Sequence, residues 1–336
     1  MVKLTHFIGI DISKETVDVA LISAEQPQKA ILNVSLTNNK KGATLLKRHL
    51  KQLSINTEDV LVCMEYTGLY SRCFARFLLT LGFQVWLEMA YQIKHSSGLK
   101  REKTDKADAM AIAQYCFRFK DKLKLYSEKH EEFEKLQTLL TCRELLIQKK
   151  TDLNKYLSEL ESMGFKEESK LVVTAIKKAN DGLDKAILKA ELNIDHFIAE
   201  SEQIANQLAL LTSIPSVGKI TALTFIAITR GFTKMKDGKA LASYSGVAPF
   251  KNSSGTSIRG KTKVNFMANK KLKSLLHLCA MRLIQKEGHF KAYYQRKVGE
   301  GKNKMLVLNA LRNKIVLRMF AVIKNQKSYS ENLVLS

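Results

Sequence analysis

The chain has 336 residues, 45% of them apolar, and carries 55 Lys and Arg against 32 Asp and Glu, a formal charge of +23. That length and apolar content allow two or three domains with sizeable cores, while the charge exceeds what solubility needs and points to a polyanionic partner. Five scattered cysteines (Cys63, Cys73, Cys116, Cys142, Cys279) without zinc spacing, no signal-peptide pattern and no apolar run of about 18 residues argue against a disulfide scaffold, a zinc site and a membrane protein, so a cytoplasmic location is expected.

The first elements are strand-like: 7–12, 17–23 and 30–36 follow in quick succession, the spacing of an antiparallel meander. A helix is expected over 41–50, a strand over 60–65, a helix over 69–81, a strand over 83–87 and a helix over 103–119. Antiparallel strands first and strand–helix alternation afterwards is the order of a ribonuclease-H-like α/β domain, placed at 1–122.

Residues 123–210 contain no proline, and Leu136, Leu139, Leu146, Leu153, Leu157 and Leu160 recur at three-, four- and seven-residue steps. Such a stripe suits a coiled-coil seam. With a break near Gly164, the two helical runs are expected to fold back as a long antiparallel arm, a spacer or a dimer contact. The third domain, 211–330, reads as mainly helical and basic. Its segment Ile214-Pro215-Ser216-Val217-Gly218-Lys219 has the pattern of a helix-hairpin-helix turn, and Ser253-Ser254-Gly255-Thr256-Ser257-Ile258-Arg259-Gly260 has the composition of a mobile loop able to carry a nucleophile. From Arg259 to Lys327 there are eighteen Lys and Arg against Glu287 and Glu300 alone.

Four carboxylates carry the chemistry. Asp11 closes the apolar run Phe7-Ile8-Gly9-Ile10, Glu65 closes Val60-Leu61-Val62-Cys63-Met64, and Asp105 and Asp108 lie three apart on one helical face. Acids at strand ends facing acids on a helix repel one another by roughly 1–4 kcal/mol per pair at about 4 Å, a strain that a divalent cation relieves. Lys100, Arg101, Lys219, Arg259, Lys261, Lys263, Lys270, Lys271 and Lys273 are candidate phosphate contacts.

Together, Gly9-Ile10-Asp11, Met64-Glu65-Tyr66-Thr67-Gly68-Leu69-Tyr70, Lys103-Thr104-Asp105-Lys106-Ala107-Asp108, Ile214 to Gly218 and Ser254 to Gly260 resemble, in order and over nearly the whole chain, the DEDD transposases of the insertion-sequence family numbered one hundred and ten, relatives of the Piv-type invertases. Ser216 and Ala268 stand where many relatives have glycine, and Lys273 where they have arginine. The resemblance implies a RuvC-like N-terminal domain, a coiled-coil arm and a C-terminal transposase domain. It also implies Mg2+ (with Mn2+ as a substitute) held by Asp11, Glu65, Asp105 and Asp108, and Ser254 as a nucleophile forming a covalent phosphoserine link to DNA. The partners it implies are donor and target duplex DNA, a structured bridge RNA as guide, and further copies of the chain in a dimer or tetramer. By residue type alone Ser253 and Ser257 compete with Ser254.

Rival readings remain at this level. A RuvC-type junction endonuclease would use the same acids with water as nucleophile, and a non-catalytic nucleic-acid-binding protein would need only the charge. The Ile-Gly-Ile-Asp start also occurs in actin-like ATPases and sugar kinases, but Ile12-Ser13-Lys14 lacks the glycine that their phosphate loop requires.

Overall fold

The computed structural model describes residues 4–96, 104–127, 131–254, 258–264 and 268–330, with backbone alone for 249–254 and 258–264. The chain divides into two compact units, Met1–Lys129 and His130–Ser336.

The N-terminal unit is built on a five-stranded sheet. Its strands are β1 (His6–Ile12), β2 (Thr16–Ser23), β3 (Ala30–Thr37), β4 (Val60–Glu65) and β5 (Gln84–Glu88), in spatial order β3-β2-β1-β4-β5. The first three pair antiparallel, whereas β4 and β5 join β1 in parallel. The expected meander followed by alternation therefore closes into one mixed sheet of ribonuclease-H-like order. Strands β1 and β4 are buried over almost their whole length, which is why they read as continuous apolar runs instead of alternating ones.

Helices cover both faces. On one, α1 (Lys40–Gln52) and α2 (Leu69–Thr80) bury Ala43, Leu46, Leu50, Phe74, Ala75 and Leu78 against Ile8, Ile10, Val17, Val19, Val60 and Val62. On the other, α4 (Asp105–Arg118) sets Ala109, Ile112, Ala113 and Cys116 on Phe7, Ala20, Ile22, Leu61, Cys63 and Trp86. A short helix, α3 (Ala90–Ser96), follows β5 and has no counterpart in the sequence expectations.

The second unit begins with two long helices, α5 (Glu131–Ser162) and α6 (Lys166–Ala199), with Gly164 at φ 90° in the turn between them. They run antiparallel: Arg143 pairs with Glu191 at 2.7 Å, Lys150 with Asp184 at 2.5 Å, and Asn180 donates to Asn154 at 2.7 Å. Numbers rise on one helix as they fall on the other. Only the base of the pair, with Phe133, Leu136, Leu140, Ile194 and Ile198, enters the main core of the unit.

That core is completed by α7 (Glu202–Thr212), α8 (Lys219–Thr229), α9 (Gly238–Tyr244), α10 (Lys270–Gln285), α11 (His289–Gly299) and α12 (Lys304–Asn325). One expectation needs correction. The stretch read as a mobile serine–glycine loop is largely a β-hairpin, with β6 (Pro249–Ser254) antiparallel to β7 (Ile258–Val264). Gly255, Thr256 and Ser257 lie outside the described residues. The hydroxyl and glycine content suggested a loop, but Ile258, Thr262 and Val264 are β-branched residues that suit a strand.

Candidate active site

The acids meet through the pleat. In a strand, residues two apart share a face, so Asp11 points to the side of Phe7, and Glu65 to the side of Leu61 and Cys63, which is the side covered by α4. Ile10 is opposite Met64 across the parallel pair, so Asp11 and Glu65 follow side by side at the strand ends. Helix α4 starts at the same place. Thr104 caps it, its side chain accepting from the Ala107 amide at 3.2 Å, which puts Asp105 and Asp108 in the first turn, where the helix dipole favours negative charge.

Gly9 sets the approach of α4 to β1. A Cβ at Gly9 would lie 2.1 Å from the Ala113 amide nitrogen and 2.2 Å from the Ala109 carbonyl oxygen, so the helix backbone rests directly on the strand backbone. Ala109 and Ala113, both fully buried, complete this close contact. The Gly-Ile-Asp sequence thus places an acid two residues beyond the point of nearest approach.

The charges of the other three acids act on Asp11. Burial holds the Asp11 carboxyl above its ordinary pKa, and the charges of Asp108, Asp105 and Glu65 push it further in the same direction; the Ile12 amide, donating to Asp11 Oδ1 at 3.1 Å, partly opposes them. Among the described residues no group of three or more His, Cys, Asp or Glu side chains stands placed to hold a metal ion. The donor chemistry fits a hard divalent cation: four carboxylates, half-buried or exposed, with nearby Cys63 and Cys116 sunk in the core and Cys63 held protonated by burial.

Two further acids, neither among the candidates expected from sequence, line up on the same face. Asp18 is paired with Asp11, and Glu88 with Glu65, so Asp18, Asp11, Glu65 and Glu88 form one row across four strands. Glu88 is oriented by its neighbours: Oε1 accepts from the Met89 amide at 2.7 Å and Oε2 from the Tyr115 hydroxyl of α4 at 3.2 Å. Burial and then the Glu88 charge raise the Tyr115 phenol far above its usual range, which keeps it a donor. The available signal was that Glu88 ends β5 as Glu65 ends β4.

The basic and hydroxyl candidates are less concentrated. Lys100 and Arg101 lie outside the described residues. Lys219 opens α8 and pairs with Asp195; Lys271 pairs with Glu144; Lys270 is exposed and Lys273 half-buried in the first turn of α10. Partly exposed pairs of this kind contribute about 0–1 kcal/mol. Ser254 is the last residue of β6, and Arg259, Lys261 and Lys263 lie on β7; their side chains fall outside the description. Between α7 and α8, Ser216 adopts φ 68°, a left-handed conformation that a glycine would take without strain.

Residues 8–162 match a family model for DEDD transposases named for IS110, and residues 208–295 match the model of the transposase IS116/IS110/IS902 family. The chain is similar to the pilin gene-inverting protein of Moraxella lacunata, at 27% identity over 97% of this chain and 98% of that protein. It is also similar to the transposase for insertion sequence element IS1111A of Coxiella burnetii, at 26% identity over 69% of each chain. Among solved structures, T. thermophilus RuvC in complex with a Holliday junction substrate aligns with a TM-score of 0.28 and 16% identity, over 36% of this chain and 99% of that one.

Proposed function

Because this chain belongs to the IS110 family of DEDD transposases and is related to the pilin gene-inverting proteins, we propose that it cuts and rejoins DNA strands with the acid cluster of its N-terminal unit and the Ser254 hydroxyl of its C-terminal unit. The observation that supports the reading is that Asp11 and Glu65 end neighbouring strands where α4 begins with Asp105 and Asp108, and that the charges of the other three raise the Asp11 carboxyl.

Those four side chains would hold Mg2+, or Mn2+ in its place. Bound there, the cation supplies charge stabilisation to the attacking and leaving oxygens of a phosphodiester. The chain's own residues do the rest. The Ser254 oxygen forms a bond to phosphorus as the bond from phosphorus to the 3′ oxygen breaks; the serine proton leaves to solvent or a carboxylate, and the 3′ oxygen gains one. The phosphodiester is thereby conserved as a serine ester, and a 3′-hydroxyl of another strand can reverse the step without an external energy source. Water in place of serine would leave a simple cut, which is the endonuclease alternative.

Direction to a target by a bridge RNA belongs to the same proposal and is supported by family membership together with the +23 charge. Dimers pairing into a tetramer, with the long helices α5 and α6 as a coiled-coil arm, and the α7–α8 connection as a helix-hairpin-helix phosphate grip, complete it. The three-part division 1–122, 123–210 and 211–330 is the corresponding functional layout.

The test is to trap a covalent protein–DNA adduct with a nicked or suicide substrate in Mg2+. The adduct is expected with the parent protein and not with Ser254→Ala, while DNA binding persists. Nicking that survives Ser254→Ala at the parent rate favours the water-using endonuclease. Binding without any metal-dependent cleavage leaves only a nucleic-acid-binding role.

A further inference from the structure

Helix α1 carries Lys40, Lys41, Lys47, Arg48, His49 and Lys51 and no acid. At 100° per residue, Lys40, Lys41, Arg48 and Lys51 share one arc with Thr44, while Gly42, Ala43, Leu46 and Leu50 fill the opposite arc and are buried. All four cations are exposed, and among the described residues none of them has a carboxylate partner. By contrast, the nearby Lys47 ammonium donates to the Leu81 carbonyl oxygen at 3.0 Å. Lys40, Lys41, Thr44, Leu45 and Arg48 line a surface groove.

The position of this face matters more than its charge. Strand β3 runs parallel to β1, since each is antiparallel to β2, and its last residue Thr37 pairs with Thr16 at the end of the sheet that holds Asp11. The start of α1 is fastened there. The Asn38 side chain donates to the Ser13 carbonyl at 2.8 Å and its amide to the Glu15 carbonyl at 2.8 Å, both in the turn that follows Asp11-Ile12. Gly42 packs so tightly on the end of β3 that a Cβ would lie 1.9 Å from the Thr37 carbonyl oxygen. The first turn of α1 therefore stands two strands from β1, about 10 Å along the rim, on the sheet face opposite the one covered by α4. From there its basic arc runs about 16 Å along the helix, Lys40 to Lys51, which corresponds to the rise of roughly five base pairs of one strand.

We propose that the exposed arc of α1, through Lys40, Lys41, Arg48 and Lys51, is a docking track for the phosphate backbone of the DNA strand that is cut at the acid cluster, holding the flank that crosses the rim on the β3 side onto the sheet face opposite α4. This rests on the recombinase reading above, and DNA is the occupant because the track begins at the rim where a DNA phosphodiester would be cut. Phosphates are spaced along the flank, and a row of cations with no competing carboxylate matches that repeat.

The test uses the full-length protein and duplex DNA extending past the cleavage position on both sides. In a Lys40→Ala, Lys41→Ala, Arg48→Ala triple variant, the slope of log affinity against log salt is expected to fall by about 2 to 3, and affinity near 0.15 M salt by about 10- to 100-fold. The conservative triple Lys40→Arg, Lys41→Arg, Arg48→Lys keeps the charge and is expected to stay within about threefold of the parent, which shows that folding is not the cause. An unchanged slope in the alanine variant, with metal-dependent cleavage intact, overturns the track and leaves the recombinase reading standing. A loss of affinity confined to a structured RNA overturns the assignment to DNA. If the parent itself behaves like Asp11→Asn and cuts no DNA in Mg2+, the recombinase reading fails and the track fails with it.

Discussion

Replacing Gly9 by alanine tests whether the acid cluster is set by the seating of α4 on β1. Ordinary contact for a Cβ begins near 3.4 Å, and the added atom would meet the Ala113 nitrogen at 2.1 Å and the Ala109 oxygen at 2.2 Å. Both are backbone atoms, so no side chain can rotate away. Helix α4 must lift by about 1.2 to 1.3 Å, at an overpacking cost of about 1–3 kcal/mol. Asp105 and Asp108 ride on that helix while Asp11 and Glu65 stay on the sheet, and a misplacement near 1 Å costs on the order of 100-fold in rate. The assay is cleavage of end-labelled DNA in Mg2+ beside urea unfolding of the same preparation. The expected result is a folded protein, 1–3 kcal/mol less stable, with cleavage reduced about 100-fold and DNA binding retained. Because the obstruction is main chain, Ala113→Gly should not rescue it. A Gly9→Ala protein that cleaves at the parent rate would refute the reasoning, and so would full rescue by Ala113→Gly.

Asp11→Asn should stabilise the metal-free protein at neutral pH by roughly 0.5–1 kcal/mol, a value kept small because half-exposed carboxylates are screened. The Asp11 pKa is raised on folding, so its ionised form is what costs stability: the cost is absent below the ordinary carboxylate pKa of 3.8 and grows as pH rises through the raised folded value. The advantage of Asn should therefore vanish near pH 3, and thermal unfolding across pH 3–7 without divalent metal checks the sign; in Mg2+ the parent should gain stability and the variant much less. Ser216→Gly removes a left-handed non-glycine residue whose buried hydroxyl has no partner among the described residues, and should raise stability by about 0.5–1.5 kcal/mol in urea unfolding. Affinity for duplex DNA should fall about 10³–10⁵-fold between 50 and 200 mM salt if six to ten phosphates are contacted, and a flat response would contradict a backbone-tracking mode.

Much of the N-terminal unit could be read from residue order because its signals are local. The run Val60–Glu65 bounded by turns is β4 residue for residue, and the helix expected over 103–119 is α4, Asp105–Arg118. The pairing Asp105/Asp108 follows from helical spacing alone. What could not be read is which acids become neighbours across strands. Asp18 and Glu88 join the row of Asp11 and Glu65 only through sheet register, and register depends on pairing between segments up to about fifty residues apart. The hairpin β6–β7 was missed because its hydroxyls and glycines resemble a linker when pairing is not visible.

The amino-acid order by itself determined the acids at the strand ends, the helix start that carries two more, and the excess of positive charge, since each depends on residues within a turn or a strand of one another. Tertiary structure alone decided that α4 lies against the β1 backbone at Gly9, that four strands present a line of carboxylates beneath it, and that α1 begins at the same rim. The physical reason is that close approach and shared charge are properties of atoms brought together from distant parts of the chain, which no local pattern encodes.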